Sequence, residues 1–175
     1  SVTVRALSKI GTREALEALG QYFRSRGRNV FLASNLPVAY PGEKLFAPDL
    51  MAVLDVEVGE DVELPGWVVA QQGRGLDLAL EVHVAGDRNK DAVANVERYA
   101  RLGIREYFFF DRPRRRLTGY RLASPAARTY RPLIPQLGRM RSEVLDLDIG
   151  LVEGRLRFFS GTLELPHAKA LIARL

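Results

Sequence analysis

Two hydrophobic rhythms run along the chain, one near 3.6 residues and one of two residues or denser, and each predicts its own kind of element. Between residues 13 and 26, Leu16, Leu19, Tyr22 and Phe23 recur at helical spacing. Thr12 stands as N-cap, Glu14 falls in the first turn and Gly27 closes the stretch, so a helix is predicted there. Strands are predicted at 29–33 and 36–40, before the Pro41-Gly42 turn, and at 48–56. An acidic loop over 57–63 leads to a short run at 67–70, and residues 71–75 carry two glycines and read as a turn. Residues 76–84 are apolar at nearly every position, the pattern of a strand buried on both faces. Helical spacing returns over 87–102 through Ala92, Val96, Tyr99 and Ala100, and Gly103 stops it. An aromatic run at 104–111, a tight basic connection at 112–116 and a hairpin partner at 117–122 follow. Shorter strands are predicted near 128–133, 139–146 and 155–159.

The order is helix, three strands, helix, strand, then antiparallel strands. It predicts an α/β fold with a mixed sheet, a single domain over 1–165. Pro166 opens an amphipathic piece that is still in progress at Leu175, so 166–175 is the start of a C-terminal helix or tail, and a longer native chain is expected.

Composition then narrows the chemistry. The absence of cysteine excludes a disulfide scaffold, a thiolate zinc site, an iron–sulfur cluster and a cysteine nucleophile. Only His83 and His167 are present, so a metal would be held mainly by carboxylates, which suits Mg²⁺, Mn²⁺ or Ca²⁺. No apolar run approaches the ~18 residues of a membrane span and no signal-peptide pattern opens the chain, so a cytoplasmic protein is expected. The 26 basic residues outnumber the 21 acidic ones for a net charge of +5, and all but Lys9, Lys44, Lys90 and Lys169 are arginine. A GC-rich genome explains that skew as readily as phosphate recognition does. Residues 112–141 are more pointed: nine arginines, no acidic residue, and Tyr120 and Tyr130 interleaved. Such a strand pair can track a phosphate backbone, with Arg112, Arg114, Arg115, Arg116 and Arg121 as contacts. It can equally be a solvated hairpin face, or a partner of the acidic loop at 57–63.

Two carboxylates fall where burial is costly. Asp49 follows Pro48 at the mouth of an apolar strand, and Glu81 interrupts a run of Leu, Ala and Val. A buried carboxylate needs a partner or a cation. On a strand, Glu81 and His83 share a face, Asp77 can join them at the strand start, and the next helix can bring Lys90 and Asp91 to the same end. The plainer alternative is that Asp49 caps a turn and Glu81 pairs with an arginine.

Pro48-Asp49 and, 32 residues on, Glu81-Val82-His83 within this element order resemble the PD-(D/E)xK nuclease superfamily. Ala47-Pro48-Asp49, Leu80-Glu81-Val82, the stretch 97–111 (ERYARLGIREYFFFD), 141–145 and 155–159 resemble the Uma2 family of restriction endonucleases. The resemblance implies a restriction-endonuclease-like α-β-β-β-α-β core followed by antiparallel strands, and metal-dependent hydrolysis of DNA. It implies Mg²⁺ (or Mn²⁺) on Asp49, Glu81 and the Val82 carbonyl, with Asp49, Glu81, His83 and Lys90 as the catalytic set. DNA is the expected partner, and a homodimer is expected because two sites related by a two-fold axis cut two strands most simply. Two positions depart from the pattern. His83 stands where the superfamily has Lys, and Asn95 stands where the Uma2 family often carries its Lys in the following helix. Lys90, one turn earlier, is the remaining candidate. The second reading is therefore a catalytically degenerate nucleic-acid-binding or protein-interaction module on the same fold.

Overall fold

The computed structural model describes residues 1–6, 10–59, 62–85 and 88–167. In chain order it forms β1 (Val2–Ala6), α1 (Ile10–Ser25), β2 (Val30–Ser34), β3 (Val38–Ala39), β4 (Leu50–Leu54), β5 (Trp67–Val68), α2 (Val69–Gln72) and β6 (Leu78–His83). It continues with α3 (Arg88–Arg101), β7 (Glu106–Asp111), β8 (Arg116–Leu122), β9 (Tyr130–Pro132), β10 (Arg139–Ser142), β11 (Leu147–Val152), β12 (Arg155–Ser160) and β13 (Leu163–Glu164).

The densest apolar runs occupy the middle of a seven-stranded sheet ordered β1-β2-β4-β6-β7-β8-β9. β6 and β7 pair in parallel there, and all six residues of β7 are buried, because a strand covered on both faces has no side to give to water. β1 and β2 are also parallel, and the other neighbours are antiparallel. The sheet is mixed, as expected. A four-stranded antiparallel sheet, β10-β11-β12-β13, and a small β3-β5 pair complete the layers.

Strand alternation splits the interior into two cores. Leu32, Leu50, Leu80 and Phe108 point to one face, where they meet Leu16, Leu19 and Phe23 of α1 and Leu147, Ile149 and Phe158 of the four-stranded sheet. Phe31, Met51, Val53, Ala79, Tyr107 and Phe109 point to the other, where they meet Tyr99 of α3 and Trp67. Gly103 ends α3 at φ 79° and lets the Ile104 amide return to the Tyr99 carbonyl at 3.1 Å, which turns the chain straight into β7.

The structure departs from the sequence pattern in identifiable places. α1 begins at Ile10, so Thr12 is inside the helix, and its hydroxyl meets that of Ser34 at 3.2 Å instead of capping. Glu14 pairs with Arg157 of β12 at 3.6 Å. β1 precedes the first helix and is not predicted by the pattern, and neither are β11 and β13, which are defined by pairing more than by composition. Residues 69–72 form a helical turn where the pattern predicts that a strand continues. The expected C-terminal helix lies, from residue 168 on, outside the described residues. Among the described residues no helix is long and apolar enough to cross a membrane.

Candidate functional site

β4 and β6 pair with Leu50 opposite Leu80 and Met51 opposite Ala79. One step further, the register sets Asp49 opposite Glu81, and the two-residue alternation turns both toward the core beneath α3. There the two carboxyl groups share a hydrogen bond. Asp49 is 7% exposed, and its Oδ2 accepts the Val82 amide at 2.6 Å. The ladder has stopped at Leu50, so the Asp49 side chain takes over a backbone donor that β4 no longer pairs. The N–H and C=O of one strand residue point to the same edge, so the Val82 carbonyl also faces the β4 side.

Glu81 is anchored from the helix side. Its Oε1 accepts the Tyr99 hydroxyl at 2.7 Å. Tyr99 is held by ring contacts with Phe46 and Tyr107, each at 5.1 Å between centroids. The aromatic column runs on through Tyr120 and Tyr130. Burial, then the neighbouring Asp49 charge, pushes the Glu81 carboxyl up to about 8, against the lowering effect of the Tyr99 hydrogen bond. Burial and the Glu81 charge likewise raise the Tyr99 hydroxyl well above its usual range.

The Asp49 and Glu81 carboxyl groups lie side by side in a buried place, and that closeness is part of what raises the Glu81 carboxyl. Their oxygens and a strand carbonyl are hard donors that suit Mg²⁺ or Mn²⁺ and leave positions for water and phosphate. Among the described residues no group of three or more Asp, Glu, His or Cys side chains gathers as a metal cluster, so a cation here would be held by this pair and the carbonyl.

The other expected members fall differently. His83 is buried on the same sheet face as Glu81, with its ring stacked on Phe109 at 6.2 Å. Asp77 does not join the pair. It sits at the opposite end of β6, where its Oδ2 accepts the Leu54 amide at 2.7 Å and faces Arg74 at 3.2 Å. Lys90 and Asp91 belong to the first turn of α3, but their side chains lie outside the described residues. Asn95 is half-buried on α3.

The basic segment divides in two. Arg112, Arg114, Arg115 and Arg116 are all exposed in the β7–β8 turn. The Arg112 amide donates to the His83 carbonyl at 3.0 Å, so this turn adjoins the end of β6 that carries the acidic pair. Arg114 faces Asp111 at 3.4 Å, across a largely exposed guanidinium. Arg121 sits at the far end of β8. It is bound to Glu106 at 2.9 Å and faces Glu143 at 3.5 Å, and its side chain is 20% exposed. Tyr120 and Tyr130 are in the aromatic column rather than among the arginines, and the Tyr130 hydroxyl donates to the Ile104 carbonyl at 2.6 Å. Among the described residues, the acidic partners of this segment's arginines are Asp111, Glu106, Glu143, Asp146 and Asp148.

Two residues stand out only in the folded chain. In the sequence Tyr99 is one member of a helical stripe. Glu106 is a further buried carboxylate, with no exposed surface, accepting from the Ser142 hydroxyl at 2.6 Å and the Glu143 amide at 2.8 Å as well as from Arg121. Its signal is present in the chain: an acid opening an apolar strand, with an arginine opposite in the hairpin register.

Comparison with known proteins agrees with this fold. The family model described as Uma2, "Putative restriction endonuclease", matches residues 10–154. No curated protein matches the sequence. A crystal structure described as a "putative nuclease belonging to DUF820", from Anabaena variabilis, superposes with a TM-score of 0.57 at 12% identity, covering 77% of this chain and 71% of that one. At that identity the likeness speaks for the fold. The family match spans most of the chain, from α1 to the hairpin of the second sheet, and the chain belongs to the Uma2 family of restriction-endonuclease-like proteins.

Proposed function

We propose that the protein hydrolyses phosphodiester bonds of DNA with Mg²⁺ (or Mn²⁺) bound to Asp49, Glu81 and the Val82 carbonyl. The observation that carries this reading is the pairing of Asp49 with Glu81 at the splayed end of β4 and β6, with the Glu81 carboxyl pushed up to about 8. A divalent cation held there would supply Lewis-acid chemistry, activating water and offsetting charge on the phosphate. The chain's own residues do the rest. Tyr99 fixes one Glu81 oxygen, and Asp49 lies beside the same carboxyl group. Val82 N–H fixes Asp49 Oδ2. His83 is the candidate to take a proton from the attacking water. Lys90 is the candidate cation for the transition-state phosphate. The exposed arginines of the 112–116 turn, next to His83, provide the backbone contact for the DNA, while Arg121 serves as an internal counter-ion. A homodimer would present two such sites to the two strands.

The test is plasmid cleavage with Mg²⁺ alongside thermal stabilisation by Mg²⁺. Asp49→Asn and Glu81→Gln are expected to lose both. Lys90→Met is expected to keep the stabilisation and to lower cleavage by about 10²-fold or more, the pattern of an interaction made only in the transition state. Wild-type protein that Mg²⁺ neither stabilises nor activates would remove the reading. The second reading, a degenerate binding module, is favoured by one observation: the side chain two positions after Glu81 is an imidazole stacked on Phe109. Stabilisation by Mg²⁺ without cleavage would select it.

A further inference from the structure

The turn between β9 and β10 breaks two rules of chain folding at once. Gln136 N–H donates to the Arg139 carbonyl at 2.8 Å, and Arg139 N–H donates to the Gln136 carbonyl at 3.0 Å. Leu137 and Gly138 are therefore the two central residues of a tight hairpin turn. Both have positive φ, 52° and 76°, as a type I′ turn requires. Glycine suits its place. Asn or Asp ordinarily fills the other, because the left-handed region crowds the Cβ of a bulky residue. Leu137 is nevertheless leucine, and it is 103% exposed, with Ile134 beside it at 83%. A fully exposed leucine in a strained conformation contributes little to folding. Local rules broken without return inside the molecule point to a contact outside it.

The surroundings select the kind of partner. Residues 112–141 hold nine arginines and no acidic residue; Arg121 and Arg141 are paired with carboxylates outside the segment, and Arg131 and Arg139 flank the apolar tip directly. Leu133 N–H donates to the Gly119 carbonyl at 2.8 Å. Gly119 is three residues along β8 from Arg116, ~10 Å at the usual strand rise. The root of the tip therefore lies close to the basic turn that adjoins the acidic pair. An aliphatic point on a basic field complements a duplex nucleic acid, whose phosphates meet the arginines and whose base steps accept the side chain. A second copy of this chain would bring the same net positive charge to the same place.

We propose that Ile134 and Leu137 form an apolar wedge that enters a groove of duplex nucleic acid and presses against its base steps. The inference rests on the nuclease reading of the acidic pair. The test is the double variant Ile134→Ser with Leu137→Asn. Asn is the better residue at this φ, so an unchanged or raised thermal midpoint will show the fold intact. Binding to a fluorescent duplex oligonucleotide is measured in EDTA, so that cleavage does not compete, over a series of salt concentrations. The expected result is an affinity at least about tenfold weaker than wild type, with the slope of log affinity against log salt unchanged, because every arginine that meets a phosphate is still in place. Equal affinity in the folded variant overturns the wedge and leaves the acidic site standing. Loss of self-association in sedimentation, with duplex affinity unchanged, overturns it in favour of a contact between copies. Wild-type protein that binds no duplex at any salt overturns the wedge, while the nuclease reading stands or falls separately on Mg²⁺-dependent stabilisation and cleavage.

Discussion

A carboxyl group that keeps its proton to about pH 8 makes the folded chain hold a proton that the unfolded chain releases above its ordinary value of 4.5. Between those values the unfolded state binds fewer protons than the folded one, so Glu81 makes stability fall as pH rises. The thermal midpoint of metal-free protein is expected to decline from pH 5 to pH 8, and Asp49→Asn, by removing the neighbouring charge, is expected to flatten the decline. A midpoint that climbs over this window would show that Glu81 is ionised in the native state. A bound cation must displace the same proton, so the shift in midpoint produced by Mg²⁺ should be larger at pH 8.5 than at pH 6. Tyr99→Phe keeps the ring in its column and removes the donor at 2.7 Å. The expected loss is about 1–3 kcal/mol by urea denaturation. The Glu81 carboxyl should then rise further, and the concentration of Mg²⁺ needed for stabilisation should increase. Unchanged Mg²⁺ dependence would reduce Tyr99 to a packing residue. The two carboxylates are legible in the sequence because each stands in an apolar run without an adjacent counter-charge. Tyr99 is not, since nothing local says which residue of a helical stripe will face a particular strand.

At the scale of elements, Glu106 and Arg121 form the latch between the two sheets. Their register pairing lies within the β7–β8 hairpin, and Ser142 and Glu143 bring in the end of β10. Glu106→Ala would leave a largely covered guanidinium and the Ser142 hydroxyl without their acceptor. Breaking one side of such a buried pair costs about 3–5 kcal/mol, to be read from the denaturant midpoint. An effect as small as that of a surface substitution would mean that the sheets are held by Phe108, Met140, Val144 and Ile149 alone. The same hairpin has a different office at its other end. Where Glu106 has no exposed surface and an arginine partner, the 112–116 turn is exposed and faces the acidic end of β6.

Across the whole molecule, a net charge of +5 and a pI near 9.8 coexist with a buried acidic pair, so under the proposed function the charge that would meet a polyanion is separate from the charge that would meet a cation. If the 112–116 turn carries backbone contacts, replacing Arg114, Arg115 and Arg116 together with Ala should weaken duplex binding. It should also flatten the dependence of log affinity on log salt by ~0.9 for each phosphate that is no longer neutralised. Mg²⁺ stabilisation should persist, since Asp49, Glu81 and Val82 are untouched. A slope equal to wild type would make the turn a bystander. Arg121→Ala would not test this question, because its loss acts through Glu106.

The sequence alone is enough for the central strands, because the runs at 76–84 and 104–111 are apolar on consecutive positions and only a doubly covered strand accepts that. It is enough for where the helices stop, because Gly27 and Gly103 occupy positive φ. It is also enough to single out Asp49 and Glu81, because an acid within an apolar strand demands an explanation wherever the strand ends up. The tertiary structure decided the partners. The same arginine type faces solvent at position 114 and is an internal counter-ion at 121, and tyrosines 120 and 130 left the basic face for an aromatic column. β1 and β13 exist because a neighbouring strand offers them hydrogen bonds. Local pattern reports what a residue needs. Which neighbour meets that need depends on how distant elements dock, and those contacts are absent from any window of the chain.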